Sequence, residues 1–260
     1  GLGIPAEPLF RSSVFLTEHG MTDLAYRLLL NEEYPGWLHE VKLGATTVWE
    51  RWNSLDENGR ISSTGMNSLN HYSYGAVLEW IFRHVAGIDV TEQGPGGKMM
   101  RISPKVDHKL GSASAVYDSA SGCYRCGWQI ENGDQITVTV TVPFGAKAQV
   151  ILPYAPDSVY HDTDNPLFET VENGICCVKA GQYTVTYKAA SPLKKSYSVD
   201  STLEDLLAEP AIRAFLSNMM EVDMIPDLAY GLTLRQTAEA FAGGVSAEQA
   251  QRLNALLEEF

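Results

Sequence analysis

Gly44-Ala45-Thr46-Thr47-Val48-Trp49-Glu50-Arg51-Trp52, followed after a polar, Gly-containing loop by Asn67-Ser68-Leu69-Asn70-His71-Tyr72, is the stretch on which the reading of this chain turns. It sets a carboxylate between two tryptophans and opens the next apolar run with a histidine. That is the composition of a sugar pocket, in which aromatic faces cover the C–H faces of a pyranose and charged groups meet its hydroxyls and its hydrolysis. Glu50, His71, Trp49 and Trp52 are therefore the candidate site residues.

The sequence around this stretch reads as helical. Leu9, Phe10, Ser13, Val14 and Thr17 fit one side of a helix that stops at Gly20, and a second helix is expected from Thr22 or Asp23 through Leu30, with Asp23 suiting its N-terminal dipole. Pro35-Gly36 breaks the pattern. Beyond the loop, Leu69, Tyr72, Ala76, Val77, Trp80, Ile81 and His84 recur at helical spacing up to Gly87 and predict a helix with one broad apolar face. Three such helices do not enclose a core by themselves. The expectation is a piece of a larger helical body, with an apolar surface that the remaining chain, or a second copy in a homo-oligomer, has to cover.

At Ile88 the period changes from 3.6 to 2. Residues 101–102, 113–117, 124–130, 135–142, 148–152, 175–178 and 182–187 read as strands, separated by turn formers at Ser121-Gly122, Glu131-Asn132-Gly133-Asp134 and Pro143-Phe144-Gly145. Regular short strands of this kind predict an antiparallel β-sandwich. Trp128, inside a strand, is expected in the core. Ser191-Pro192 and Lys194-Lys195 read as a linker, and Ser201-x-x-Glu204, Thr233-x-x-Gln236 and Ser246-x-x-Gln249 as capping boxes of a small helical module in which Ile212, Phe215, Leu216 and Met219 form an internal stripe. The expected organisation is helical over 1–87, sandwich over 88–190, and linker plus helical module over 191–260.

A chain of 260 residues with net charge -13 has ordinary soluble composition, and its charge argues against tracking nucleic-acid phosphates or docking on anionic lipid. No apolar run approaches a membrane span, and no basic region followed by an apolar stretch opens the chain, so the expected location is cytoplasmic; Gly1 in place of Met suggests a processed or excised start. Cys123 and Cys126 have C-x-x-C spacing and Cys176-Cys177 could add two thiolates. Residues one or three apart on a strand point to opposite faces, however, which favours buried structural thiols over a metal site. No G-x-S-x-G elbow is present, and the glycine-rich Gly94-Pro95-Gly96-Gly97 has no Lys-Ser/Thr ending of a phosphate loop.

Gly-Ala-Thr-Thr-x-Trp-Glu-Arg-Trp, then Met-Asn-Ser-x-Asn-His-Tyr-x-Tyr-Gly-Ala-Val, resembles the end of the catalytic barrel of the bacterial α-L-rhamnosidases, inverting glycoside hydrolases with an (α/α)6 catalytic domain. Asp23-Leu24-Ala25-Tyr26-Arg27-Leu28-Leu29 and Glu33-Tyr34-Pro35-Gly36-Trp37-Leu38 are similar to the family too, so the likeness is most specific over the first third of the chain. The resemblance implies a parent enzyme that removes terminal α-L-rhamnosyl residues from glycosides or polysaccharides without a cofactor or metal. It also implies that Glu50 is the general base, that His71 lines the rhamnose site, and that the remainder of the barrel is a partner of residues 1–87. The family's general acid belongs to an earlier Asp- and Arg-rich motif with no counterpart in these residues, and Glu32, Glu33, Glu40 and Asp56 read as surface charges. The chain alone is therefore expected to be inactive, because inversion needs one carboxyl group to protonate the leaving oxygen and another to activate water on the opposite face. The alternative is a non-catalytic carbohydrate-binding or scaffolding module.

Overall fold

The structure, a computed structural model, describes residues 12–61, 66–92, 94–194, 196–219, 225–226 and 229–258; Leu9 and Phe10 of the first expected helix lie outside these. The chain divides into two compact units, Gly1–Leu193 and Lys194–Phe260.

The first unit opens with helix α1 (Ser12–Glu18) and helix α2 (Thr22–Leu29), packed as a hairpin. Gly20 turns the chain between them at φ +80°, a conformation that costs a glycine little. Their inward residues Val14, Thr17, Ala25 and Tyr26 are buried, and the Trp80 indole donates to Thr17 Oγ1 at 2.8 Å. Helix α3 (Trp37–Lys42) leads into the motif.

The last helical run spans three geometries: a 3₁₀ turn at Ser73–Ala76, helix α4 (Val77–Trp80), and a π turn at Ile81–Val85. It begins later than the apolar spacing predicts. Leu69 and Tyr72 lie outside it and are 39% and 88% exposed. The physical reason is that Ser68 C=O and His71 N–H, the groups a helix there would use, are hydrogen-bonded sideways to Glu50 N–H and Val48 C=O.

Gly87 turns the chain from the π turn into the sheets at φ +83°, and a Cβ there would stand 2.3 Å from the Pro104 nitrogen. Gly87→Ala therefore meets both a backbone penalty and a clash with immobile main chain. Its expected cost is about 2 kcal/mol, readable as a lowered urea midpoint.

Two sheets follow. One has the order β1 (Ile88–Val90), β2 (Met99–Ile102), β6 (Lys147–Ile151), β8 (Ile175–Val178), β7 (Val171–Glu172); the other is β3 (Ser112–Ser119), β4 (Gly122–Glu131), β5 (Gln135–Val142), β9 (Gly181–Lys188). The second sheet is antiparallel throughout, and its β4–β5 turn carries Asn132 and Gly133 at φ 52° and 81°, as the Asn-Gly pair predicts. The first departs from the all-antiparallel expectation at one place, where β2 pairs with β6 in parallel. A parallel pair needs a long crossover, and here β3, β4 and β5 in the opposite sheet supply it. The short β1 and β7 escaped the sequence reading because two or three residues display no period.

Alternation places Tyr124, Cys126 and Trp128 of β4 and Ile136, Val138, Val140 and Val142 of β5 in the core, facing Met100, Ile102, Ala148, Val150, Cys176 and Val178. The core runs on into the helices. Trp128 is 3% exposed, and its indole N–H donates to the Val85 carbonyl at 2.7 Å, as the Tyr26 hydroxyl does to the Lys105 carbonyl. Arg83 adds an ionic tie, meeting Glu79 and Asp89 at 2.9 and 3.0 Å. Of the four cysteines, Cys126 and Cys176 are buried, while Cys123 is half-buried and Cys177 exposed, so the expectation of four buried thiols holds for the inward partner of each pair only.

The second unit packs helices α5 (Leu203–Leu207), α6 (Pro210–Ser217), α7 (Leu234–Ala242) and α8 (Ala247–Leu257) around Val199, Leu203, Leu206, Ile212, Leu216 and Leu257. Thr233 and Ser246 form both reciprocal bonds of a capping box with Gln236 and Gln249. The first cap is displaced by one from the expected Ser201: Thr202 accepts the Asp205 N–H, because Ser201 is drawn into a turn with its hydroxyl accepting Ser198 N–H. Of the expected stripe, Ile212 and Leu216 are buried and Met219 is 58% exposed.

Candidate functional site

Helix α3 ends by folding its chain back on itself: Leu43, Gly44 and Ala45 donate their N–H groups to the carbonyls of His39, Val41 and Glu40. Beyond this turn the motif lies against residues 68–71. His71 N–H donates to Val48 C=O at 2.8 Å, Glu50 N–H donates to Ser68 C=O at 2.9 Å, and the Thr47 hydroxyl donates to the Leu69 carbonyl. The loop between the two segments is closed at its base by Ser54 and Asn67: the Ser54 hydroxyl donates to Asn67 Oδ1, and the Asn67 amide donates to the Ser54 carbonyl, both at 2.7 Å. Ser54 is fully buried, and Arg51 spans the same loop to the Met66 carbonyl at 2.9 Å. Glu50 and His71, twenty-one positions apart in the numbering, are thus carried on adjoining, hydrogen-bonded segments.

His71 is half-buried and stacks on the Tyr72 ring at 5.1 Å, and its Nδ1 accepts the Ser73 N–H at 3.3 Å. In neutral His71 the proton then sits on Nε2, which makes that atom a donor. Glu50 is half-buried as well, and among the described residues its carboxylate takes part in no ion pair with Arg51 or another arginine.

The two tryptophans differ. Trp49 is 3% exposed, so it presents no free stacking face and belongs to the packing beneath the motif. Trp52 is half-buried in an aromatic cluster, stacked on Tyr74 at 5.6 Å and 15°, with Trp37 edge-on to both at 6.1 and 5.7 Å. Beside this cluster a cavity of about 10 Å³ is lined by Ser12, Ser13, Leu28, Trp37, Trp52, Tyr74 and Val77. That is room for about one water and too little for a sugar ring.

Glu40 is the correction that matters. Glu32 and Glu33 are surface charges as expected, and Asp56 caps a turn by accepting the Asn58 and Arg60 N–H groups, but Glu40 is 3% exposed. Burial raises its pKa from 4.5 to about 7, against a smaller, lowering effect of the Trp49 backbone. Its Oε1 has no hydrogen-bond partner among the described residues, and neither do the buried His39 Nε2, Trp52 Nε1 and His84 Nε2. The sequence signal for Glu40 was its position one turn behind the motif on a helix with Trp37 and Val41, but a short helix has too few residues to mark which face is inside.

Residues 10–85 match the family described as bacterial alpha-L-rhamnosidase 6 hairpin glycosidase domain, and residues 87–165 match the bacterial alpha-L-rhamnosidase C-terminal domain. The chain belongs to the bacterial α-L-rhamnosidase family and corresponds to a C-terminal part of it. It is 39% identical over 65% of its length to an alpha-L-rhamnosidase of Alteromonas sp. and 38% identical over 62% to one of Formosa agariphila, covering 18% and 17% of those proteins. A crystal structure of the Streptomyces avermitilis alpha-L-rhamnosidase complexed with L-rhamnose is similar over 69% of this chain and 17% of its own, with 33% identity and a TM-score of 0.59. The chain thus spans less than a fifth of each of these three relatives.

Proposed function

We propose that this chain is the part of an inverting α-L-rhamnosidase that carries the general base, Glu50, and one wall of the rhamnose site, with His71 donating to a sugar hydroxyl and Trp52 offering aromatic surface. The observation that supports this reading is the hydrogen bonding of Val48 and Glu50 to His71 and Ser68, which carries Glu50 and His71 on adjoining segments in a chain of this family. Trp49 has a packing role in this reading. The parent acts on terminal α-L-rhamnosyl groups of glycosides, and no metal takes part.

The general acid comes from the remainder of the barrel. Two features support the need for that remainder. Among the described residues, ten of the sixteen exposed large hydrophobic side chains, Phe15, Val41, Leu78 and Phe82 included, fall within residues 12–87, and so do all four buried polar atoms without a partner. Exposed apolar side chains concentrated in one segment, and orphaned polar groups confined to it, are what a partly enclosed helical barrel leaves behind.

The test compares the full-length parent with the 260-residue chain on an aryl α-L-rhamnoside. The parent is expected to release β-L-rhamnose first, seen by proton NMR before mutarotation, and the chain alone to release nothing, since one carboxylate cannot serve both faces of the bond. First release of α-L-rhamnose would remove inversion, and a parent without hydrolysis would leave the carbohydrate-binding reading in its place.

A further inference from the structure

The main chain of the proposed base is tied down on both sides. Glu50 N–H donates to the Ser68 carbonyl at 2.9 Å, and the next N–H along the chain, that of Arg51, donates to the Ser54 hydroxyl oxygen at 3.1 Å. Ser54 N–H returns a bond to the Arg51 carbonyl at 3.0 Å, which closes residues 51–54 into a turn. A hydroxyl has a single proton to give, and that of Ser54 goes to Asn67 Oδ1 at 2.7 Å, while Asn67 Nδ2 donates to the Ser54 carbonyl at 2.7 Å. Asn67 is in turn the chain neighbour of Ser68, whose carbonyl holds Glu50. The bonds form a closed ring from Glu50 through Ser68, Asn67, Ser54 and Arg51 back to Glu50, and two of its links are the side chains of Ser54 and Asn67.

We propose that Ser54 and Asn67 are positioning residues for the rhamnosidase reaction: their bonded side chains lock the turn that follows Glu50 to the segment that precedes His71, and so fix where the base stands. This rests on the reading of Glu50 as the base. Ser54 is fully buried and both polar atoms of the Asn67 carboxamide are bonded to it, so the pair acts on the backbone and not on the sugar.

Two properties make this pair the link that matters. The Ser54 hydroxyl accepts from Arg51 and donates to Asn67 at once, so a shift of Glu50 away from Ser68 strains both of its bonds together. Burial then makes each of those bonds hard to give up, because water does not reach Ser54 to replace a lost partner. Arg51 also crosses the loop, to the Met66 carbonyl at 2.9 Å, but that contact is exposed and water competes for it. A general base has to meet its water at hydrogen-bond distance and in line with the bond that breaks, and a displacement of about 1 Å costs such a group about 10²-fold in rate. Removing one link of the ring leaves the Glu50–Ser68 bond in place without the side-chain lock, so the expected loss is smaller than that.

The experiment is a double-mutant cycle in the full-length enzyme, with kcat and KM measured on an aryl α-L-rhamnoside for Ser54→Ala and Asn67→Ala, each made in the wild type and in Glu50→Gln. In the wild-type background each is expected to lower kcat about 10-fold or more with KM within about 3-fold, the signature of a displaced catalytic group. In the Glu50→Gln background there is no base left to misplace, and the same substitutions should change the residual kcat by less than about 3-fold. A role confined to holding the fold together predicts otherwise: loss of folded enzyme multiplies through both backgrounds alike, and equal losses in the two would overturn the proposal. So would wild-type kcat in both single variants while Glu50→Gln is slow, an outcome that leaves the base assignment standing. Near wild-type turnover in Glu50→Gln alone would strike the proposed function and this inference with it. Should Ser54→Ala prevent folding, Asn67→Ala decides, since that side chain is only half-buried.

Discussion

Glu50→Gln in the full-length parent is expected to lower turnover at least about 10²-fold while substrate binding is largely kept, the usual scale of lost general-base catalysis. Glutamine has the size of glutamate and keeps the main-chain bond from residue 50 to the Ser68 carbonyl, so the motif and its neighbouring segment remain paired. What it lacks is the ability to take a proton from water. Because an inverting enzyme generates its nucleophile in the same step that breaks the glycosidic bond, losing the base raises that one barrier by at least about 2.7 kcal/mol, at 1.36 kcal/mol per decade. Steady-state kinetics on an aryl α-L-rhamnoside with a good leaving group isolates this effect, since such a substrate needs little help from the acid. Near wild-type turnover would remove the base assignment and leave the family likeness without a mechanism.

The sequence carried the fold wherever an element is long enough to show a period. Gln135–Val142 alternates over eight residues and sits in the second sheet with every other residue buried, and Thr233 and Ser246 cap the helices that their spacing with Gln236 and Gln249 announces. It failed where a neighbour claims the backbone. Leu69 and Tyr72 keep helical spacing with Ala76 and Trp80, yet the groups of Ser68 and His71 are spent on the motif, and no property of residues 68–72 taken alone reveals that. It failed again for pairing direction, since alternation along β2 and β6 is the same whether they run together or apart. At the candidate site, composition and order singled out Glu50 and His71, and the structure carries them on adjoining hydrogen-bonded segments. The burial of Glu40 was not legible: burying a carboxyl group is unfavourable enough that exposure is the rational expectation, yet Glu40 is 3% exposed.

That burial has a measurable consequence, in stability. The Glu40 carboxyl titrates at about 7 in the folded protein against 4.5 as its ordinary value. The unfolded chain therefore loses this proton first as pH rises, and the folded state binds more protons between the two values. Stability contributed by neutral Glu40 is fully present below about pH 4.5 and is lost progressively up to about pH 7, where it levels off. At about 1.36 kcal/mol per pH unit the loss amounts to about 3 kcal/mol. His84 works in the opposite sense. Burial, with Arg83 beside it, lowers its pKa below the usual histidine value of 6.5, so it adds stability as pH rises through that value, and the raw pH dependence of the wild-type chain mixes the two. Comparing wild type with Glu40→Gln cancels the histidine, which is common to both. Urea unfolding at intervals from pH 4.5 to 8 should show the glutamine variant gaining on wild type by about 3 kcal/mol across the window, with the difference constant above it. Parallel curves would mean that Glu40 ionises alike in the folded and unfolded chain, and that its burial does not raise its pKa.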